Sequence, residues 1–262
     1  MITANVRTRV NAPAPLWEMA AATDIGLVRK RNEDSFRILP ELGLAIVCDG
    51  MGGHQSGHVA SQLAVSLLTQ ELRRHFPEER AEPEPLARKY LRHAVRAAND
   101  AIMEASAENR AYQDMGATAL VVSFGKNALR AAHLGDTRLY RLRHGGLQAL
   151  TQDHTLYRKW IEDGVLENDE ALVARARNLL TRSLGIESSV HAEITESDVQ
   201  PGDVFLLCSD GLYGAVADEE IRTRLLESHA SLKTDVKALI DAANAAGGPD
   251  NVTVVLCRQN RG

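Results

Sequence analysis

Residues 44–50 read LAIVCDG: five apolar residues, then an aspartate, then a glycine. A second stretch, FLLCSDG at 205–211, repeats the pattern. A short, uninterrupted apolar run predicts a strand that is buried on both faces. The sheet would hold the backbone of the acid at the end of such a strand, and the glycine would let a carbonyl group or a water molecule approach closely. The two stretches therefore predict carboxylates held at a sheet edge.

The order of predicted elements outward from these strands indicates the fold class. Short runs typical of β-strands dominate before residue 50, and two segments with helical spacing of apolar residues follow. Closely spaced runs that include residues 117–124 then predict a further group of strands. Further strands and a second helix pair complete the chain. The short turns favour antiparallel hairpins over βαβ crossovers. The pattern predicts an α+β protein with antiparallel sheets covered by helices, and it disfavours a doubly wound parallel sheet.

Composition excludes several function classes. The 262 residues are 44% hydrophobic and 25% charged, which suits a soluble globular protein. A net charge of −5 argues against nucleic-acid binding. No segment has the length of a membrane helix or the apolar core of a signal peptide, so we expect a soluble, cytoplasmic protein without membrane partners. The three cysteines predict neither a disulfide framework nor a zinc site.

The dispersed acids carry the chemical signal. Besides Asp49 and Asp210, Asp250 precedes the last predicted strand, Asp136 lies in a turn between two strands, and the pair Glu33-Asp34 precedes another. If they converge, they form an all-oxygen site, which suits Mg²⁺ or Mn²⁺. For any single acid, a hairpin turn remains the simpler explanation of an Asp-Gly pair.

Eight motifs in order resemble one family. They are TDIGLVR at 23–29 with NED at 32–34, CDGMGGH at 48–54, MGAT at 115–118, LGDTR at 134–138, LTQDH at 150–154, LTRSLG at 180–185, CSDGL at 208–212 and GPDNVT at 248–253. From about residue 21 to residue 256, the chain resembles the metal-dependent protein phosphatases of the PPM, or type 2C, family, particularly the compact bacterial members.

The resemblance implies roles for individual acids. Asp49 would bridge two Mn²⁺ or Mg²⁺ ions, with the Gly50 carbonyl and Glu33 on one of them. Asp210 and Asp250 would hold the other ion. Asp136, with Asp210, would support the third ion of bacterial relatives. A bridging water, its pKa lowered by the metals, would attack phosphorus in line.

The same resemblance implies groups for the substrate. Arg29 would hold the phosphate, and Arg31 is the neighbouring candidate, more simply explained as a solvated residue. Met51 stands where some family members have a histidine. His54 would therefore either protonate the leaving group or only order its loop.

The implied architecture is a four-layer α-β-β-α sandwich of two antiparallel sheets flanked by helix pairs. Residues 1–262 would form a single catalytic domain with a flap-like insertion at about 153–177. The implied activity is hydrolysis of phosphoserine and phosphothreonine on proteins by a monomer that opposes a serine/threonine kinase. Two alternatives stay open: an inactive regulatory module with the same fold, and a phosphatase for a small phosphorylated molecule.

Overall fold

A computed structural model describes residues 15–52, 56–75, 84–165, 169–227 and 231–260. These residues contain eleven strands: β1 (Trp17–Asp24), β2 (Asp34–Leu39), β3 (Leu44–Met51), β4 (Gly116–Ala117), β5 (Ala119–Phe124), β6 (Ala128–Leu134), β7 (Arg138–Arg143), β8 (Gly146–Ala149), β9 (Glu193–Asp198), β10 (Val204–Cys208) and β11 (Val252–Gln259). They also contain seven α-helices: α1 (Ser56–Arg73), α2 (Arg88–Glu108), α3 (Leu156–Glu162), α4 (Glu170–Arg177), α5 (Asp210–Tyr213), α6 (Asp218–Leu226) and α7 (Leu232–Ala245).

The strands form two antiparallel sheets. The first sheet has the order β1-β11-β10-β7-β8. The second has the order β2-β3-β5-β6-β9, and the two-residue strand β4 pairs with the end of β3. Because β6 belongs to the second sheet and β7 to the first, the turn between them crosses from one sheet to the other at one end of the sandwich.

Three apolar layers hold the sheets and helices together. The middle layer lies between the sheets and includes Trp17 against Phe124, with ring centroids 4.4 Å apart. Helices α1 and α2 cover the outer face of the second sheet, and α5, α6 and α7 cover the outer face of the first. The predicted four-layer α-β-β-α sandwich is confirmed.

Strand β3 shows why its sequence is a continuous apolar run. Successive side chains of a strand point to opposite faces. Leu44, Ile46 and Cys48 accordingly pack against the α1–α2 layer, while Ala45 and Val47 pack against the other sheet. Both faces are buried, so no position in the run favours a polar residue.

Two strands differ from the sequence-based expectation. Strand β3 continues through Asp49 to Met51, because its last residues pair with β4 instead of ending at the sheet edge. The run at 117–124 is not one strand but is interrupted at Thr118. The interruption arises because Asp49 N donates to the side chain of Thr118 instead of to a backbone carbonyl.

The predicted flap segment contains α3 and α4, which contact each other. Thr155 caps α3 by accepting a hydrogen bond from Arg158 N at 3.3 Å, and Asp169 caps α4. Across the described parts of the chain, no helix is both long and apolar enough to cross a membrane.

Candidate metal centre

Five aspartates converge at the end of the sandwich where the β6–β7 turn crosses between the sheets. We call them the acid cluster: Asp34 at the start of β2, Asp49 in β3, Asp136 in the β6–β7 turn, Asp210 after β10 and Asp250 before β11. Asp34 and Asp49 are direct partners in the β2–β3 ladder. The cluster therefore draws side chains from both sheets.

Asp49 lies at the electrostatic centre of this cluster. Burial raises the pKa of Asp49 well above its ordinary value, and the negative charges of the other four aspartates raise it further. Its backbone is held on both sides by Thr118: Asp49 N donates to Thr118 Oγ1 at 2.8 Å, and Thr118 N donates to Asp49 O at 2.8 Å. The Thr118 hydroxyl replaces a ladder carbonyl, which fixes where the Asp49 side chain leaves the strand.

Asp210 and Asp136 are perturbed in the same direction. Burial, followed by the charge of Asp250, raises the pKa of Asp210 to about 6, while Arg29 and a hydrogen bond with Asp49 oppose the shift. Burial and the charges of Asp210 and Asp153 raise the pKa of Asp136 to about 7. Clustered, buried carboxylates that resist ionisation are typical of a functional site.

Asp34 is a member of the cluster to which sequence reasoning assigned no role. Its Oδ2 accepts hydrogen bonds from Ser209 Oγ and Thr253 Oγ1, both at 2.7 Å. Its Oδ1 is buried and has no hydrogen-bond partner among the described residues. Burial raises the pKa of Asp34 to about 7, against the opposing effect of those two hydrogen bonds. The available signal was its place in the NED motif, beside Glu33.

Glu33 and Gly50 lie together at the start of α1. Gly50 N donates to Glu33 O at 3.1 Å. A Cβ atom added to Gly57 would lie 2.8 Å from both Glu33 Oε2 and Gly50 O, so both oxygens face the same point. A Cβ atom on Gly50 would lie 2.0 Å from Gly57 O. Glycine is required at both positions for this close approach.

Arg29 reaches the acid cluster. Its Nη2 lies 2.7 Å from Asp250 Oδ2, and the two side chains are 53% and 29% exposed. This hydrogen bond, together with the charges of Asp250, Asp210 and Asp49, raises the pKa of Arg29. Arg31, the neighbouring candidate, contributes its backbone, because Arg31 O accepts from Asn251 Nδ2 at 2.9 Å. The structure thus brings Arg29 to the acids.

The donor set fits a hard divalent cation. Its members are carboxylate and carbonyl oxygens, the ligands that Mg²⁺ and Mn²⁺ prefer. Asp34 Oδ1 and Asp210 Oδ1 are buried without a hydrogen-bond partner in the described part of the chain. These two oxygens are therefore free to contact a cation. In the described ranges, no three histidine, cysteine or acidic side chains are gathered tightly enough to hold a metal ion as they stand. A bound cation would offset the repulsion between these carboxylates.

His54 lies outside the described residues. Met51 is the last residue of β3.

His154 holds the turn that carries Asp136. The ring Nδ1 of His154 accepts a hydrogen bond from Gly135 N at 3.1 Å, and the backbone N of His154 donates to Gly135 O at 2.8 Å. Because Nδ1 is an acceptor, the neutral ring carries its proton on Nε2, which lies 3.1 Å from Glu193 Oε2. His154 therefore joins the Asp136 turn to the start of the flap segment.

A cleft separates the acid cluster from helices α3 and α4. Its volume is about 840 Å³; Asp136 and Asp210 lie at one side, and Tyr157, Arg158 and Arg177 at the other. At its wall, Arg138 donates to both carboxylate oxygens of Asp153, at 2.9 and 2.7 Å. The cleft is large enough to admit a peptide side chain beside the acids.

Comparisons with known proteins agree with this geometry. The family model for protein phosphatase 2C matches residues 29–249. The serine/threonine phosphatase stp of Listeria welshimeri is 34% identical over 241 residues, which cover 91% of this chain and 94% of that protein. The serine/threonine protein phosphatase PstP of Mycobacterium tuberculosis is 38% identical over 237 residues, which cover 90% of this chain but 44% of PstP.

Solved structures give the same result. A crystal structure of the M. tuberculosis phosphatase PstP/Ppp superposes with a TM-score of 0.82 at 36% identity, covering 94% of this chain and 99% of that one. The PstP catalytic domain in complex with two manganese ions has a TM-score of 0.78 at 35% identity, covering 92% and 97% of the two chains. The resemblance inferred from the eight motifs is confirmed, and the chain belongs to the protein phosphatase 2C family.

Proposed function

We propose that this protein hydrolyses phosphoserine and phosphothreonine on proteins with the help of Mn²⁺ or Mg²⁺. The convergence of Asp34, Asp136, Asp210 and Asp250 around Asp49, with Arg29 at their edge, is the observation that carries the proposal. The named activity of the Listeria and mycobacterial relatives supports it, as does the manganese in the PstP structure.

The donor positions suggest how cations would be held. Asp49 would contact two ions, with Glu33 and the Gly50 carbonyl completing one position and Asp210 and Asp250 the other. Asp136 would contribute, with Asp210, to a third. When bound, these ions would activate a water molecule and offset charge on the phosphate oxygens.

The protein's own groups would orient the reaction. The Arg29 guanidinium matches the geometry of two phosphate oxygens and would hold the substrate once its contact with Asp250 is released. Asp34 Oδ1 would hold a proton or accept a hydrogen bond from water, because Oδ2 is already occupied by Ser209 and Thr253. Thr118 and His154 would keep Asp49 and Asp136 in place.

A thiol nucleophile is not consistent with the structure. All three cysteines (Cys48, Cys208 and Cys257) are buried, and burial raises the pKa of each thiol. A protonated, inaccessible thiol is a poor nucleophile.

The biological setting belongs to the same proposal. Phosphorylated proteins would be the substrates, a serine/threonine kinase would supply them, and the enzyme would act in the bacterial cytoplasm as a monomer in signalling. One catalytic domain would carry the activity, and residues 153–177 would form a flap over the cleft beside Asp136.

Release of p-nitrophenol from its phosphate ester, with Mn²⁺ and then with excess EDTA, tests the chemistry. Activity that appears with Mn²⁺, disappears with EDTA and is abolished by Asp49→Ala supports the proposal. Activity without any divalent metal, or none with it, contradicts the mechanism, and the second result favours an inactive module. Hydrolysis of small phosphorylated metabolites but not of phosphopeptides would exclude the protein substrate class.

A further inference from the structure

An exposed apolar surface lies directly before Arg29. Of residues 25–28, three are large and apolar: Ile25 is 38% exposed, Leu27 is 69% and Val28 is 66%. We call these three side chains the apolar rim. Single exposed apolar residues are ordinary, whereas these three fall within four positions of one loop.

Hydrogen bonds to the segment before β11 hold the rim rigidly in place. Asn251 Nδ2 donates to Ile25 O at 2.9 Å, and Leu27 N donates to Gly248 O at 2.8 Å. Gly26 has a φ of +77°, and a Cβ atom there would lie 2.3 Å from Asp250 O. These contacts seat the backbone from Ile25 to Leu27 against the segment before β11, with the Leu27 and Val28 side chains exposed.

The same contacts place the rim beside the candidate phosphate site. The loop rests on the backbone from Gly248 to Asp250, and Asp250 carries the ion pair with Arg29. Consecutive Cα atoms lie about 3.8 Å apart. Leu27 rests on Gly248, two residues from the Asp250 carboxylate that pairs with Arg29, so the neighbours of a phosphorylated residue held by Arg29 would lie a similar distance from this loop.

We propose that the apolar rim binds an aliphatic or aromatic side chain next to the phosphorylated residue of the substrate protein. This inference rests on the proposed function and narrows its substrate class to phosphoserine or phosphothreonine with apolar neighbours. Burial of an apolar side chain against Leu27 and Val28 stabilises the complex, whereas a polar neighbour gains nothing there. A second copy of the chain is a poorer occupant, since three side chains fall far short of the roughly 800 Å² per partner of a stable interface.

Two phosphopeptides test the proposal. They are identical except that one has leucine and the other serine immediately before and after the phosphoserine. Wild-type enzyme with Mn²⁺ is expected to give about a tenfold higher kcat/KM for the leucine peptide. In the double variant Leu27→Ser/Val28→Ser, the ratio of the two kcat/KM values is expected to fall to about one.

Leu226→Ser is the matched control, because Leu226 lies on α6, is 47% exposed and is remote in sequence from Arg29. It should keep the wild-type preference. A preference that survives in the double variant, or is absent in the wild type, overturns the inference. Light scattering gives the molar mass of each protein. If the double variant alone differs in molar mass from the wild type, the inference is also overturned, because the rim would then contact a second copy.

p-Nitrophenyl phosphate separates this inference from the function on which it rests. It has no flanking residue, so its hydrolysis reports the metal chemistry alone. Wild-type turnover of this ester together with equal rates on the two peptides overturns only the role of the rim. Absence of turnover on the ester and on both peptides overturns the proposed function, and the inference with it. Thermal unfolding midpoints of all variants check that each is folded.

Discussion

Arg29 Nη2 and Asp250 Oδ2 lie 2.7 Å apart, although 221 positions separate them in the sequence. The candidate phosphate-binding group is thus paired with a candidate metal ligand. A divalent cation on Asp250 would compete with the guanidinium for the same carboxylate. Metal binding and the release of Arg29 toward substrate are therefore expected to be coupled.

Arg29→Ala should raise the KM for p-nitrophenyl phosphate by about tenfold or more, because a charge-assisted hydrogen bond to phosphate contributes roughly 1.5–3 kcal/mol. The same change should tighten Mn²⁺ binding, since it removes a positive charge beside Asp250. Steady-state kinetics and titration calorimetry measure the two effects. Arg31→Ala is the control, and a larger effect on KM from Arg31→Ala than from Arg29→Ala would move the phosphate site to Arg31.

Asp49→Asn should stabilise the metal-free protein while removing its response to metal. It deletes the charge that four neighbouring aspartates oppose, and each kcal/mol gained raises the thermal midpoint by about 2–4 °C in a domain of this size. Mn²⁺ should raise the midpoint of the wild type but not of the variant. Asp241→Asn is the control, because Asp241 forms an exposed ion pair with Lys237. Its thermal midpoints without metal and with Mn²⁺ should be nearly those of the wild type. A lower metal-free midpoint in Asp49→Asn would contradict the repulsion within the cluster.

The stability of the metal-free protein should fall as the pH rises from 6.5 to 8. Burial raises the pKa of Asp34 and Asp136 to about 7, from an ordinary value of 3.8. In this window the folded state binds more protons than the unfolded state, so a rise in pH favours unfolding. Each group is expected to lower the free energy of unfolding by about 1 kcal/mol between pH 6.5 and 8. Urea titrations in EDTA measure it, and Asp136→Asn should lose less stability than the wild type. Equal losses would show that Asp136 does not titrate there.

His133 opposes this trend below pH 6.5. Burial lowers the pKa of His133 to about 3. Its folded ring stays neutral while the unfolded ring takes up a proton below about 6.5, so this one residue offsets part of the stability that Asp34 and Asp136 add as the pH falls.

Gly57→Ala should weaken Mn²⁺ binding by about tenfold, the usual cost of displacing groups that orient metal ligands. Alanine favours a helix by about 1 kcal/mol over glycine, yet its Cβ would lie 2.8 Å from Glu33 Oε2 and Gly50 O and would push both away. Calorimetric titration with Mn²⁺ measures the loss. Gly146→Ala is the control, because its nearest contact would be an ordinary 3.5 Å. Unchanged affinity in Gly57→Ala would show that Glu33 and Gly50 do not share a cation.

Periodicity and local spacing account for much of what could be predicted. The run before Asp49 required a strand buried on both faces, because no position in it tolerates water, and the structure places an apolar layer on each side of β3. The ordered motifs likewise identified the family and selected Arg29 over Arg31. Both are properties of short segments, which sequence alone determines.

Contacts between distant segments were decided only by the tertiary structure. Asp34 joins the cluster because Ser209 and Thr253, 175 and 219 positions away, donate to it across the two sheets. Thr118 interrupts its strand because its side chain replaces a backbone partner of Asp49. The pairing of Arg29 with Asp250 likewise depends on how β1 and β11 lie side by side. The sequence by itself determined the fold class and the donor chemistry. The packing of the two sheets decided which donors meet, because a hydrogen bond across sheets depends on three-dimensional distance and leaves no local pattern.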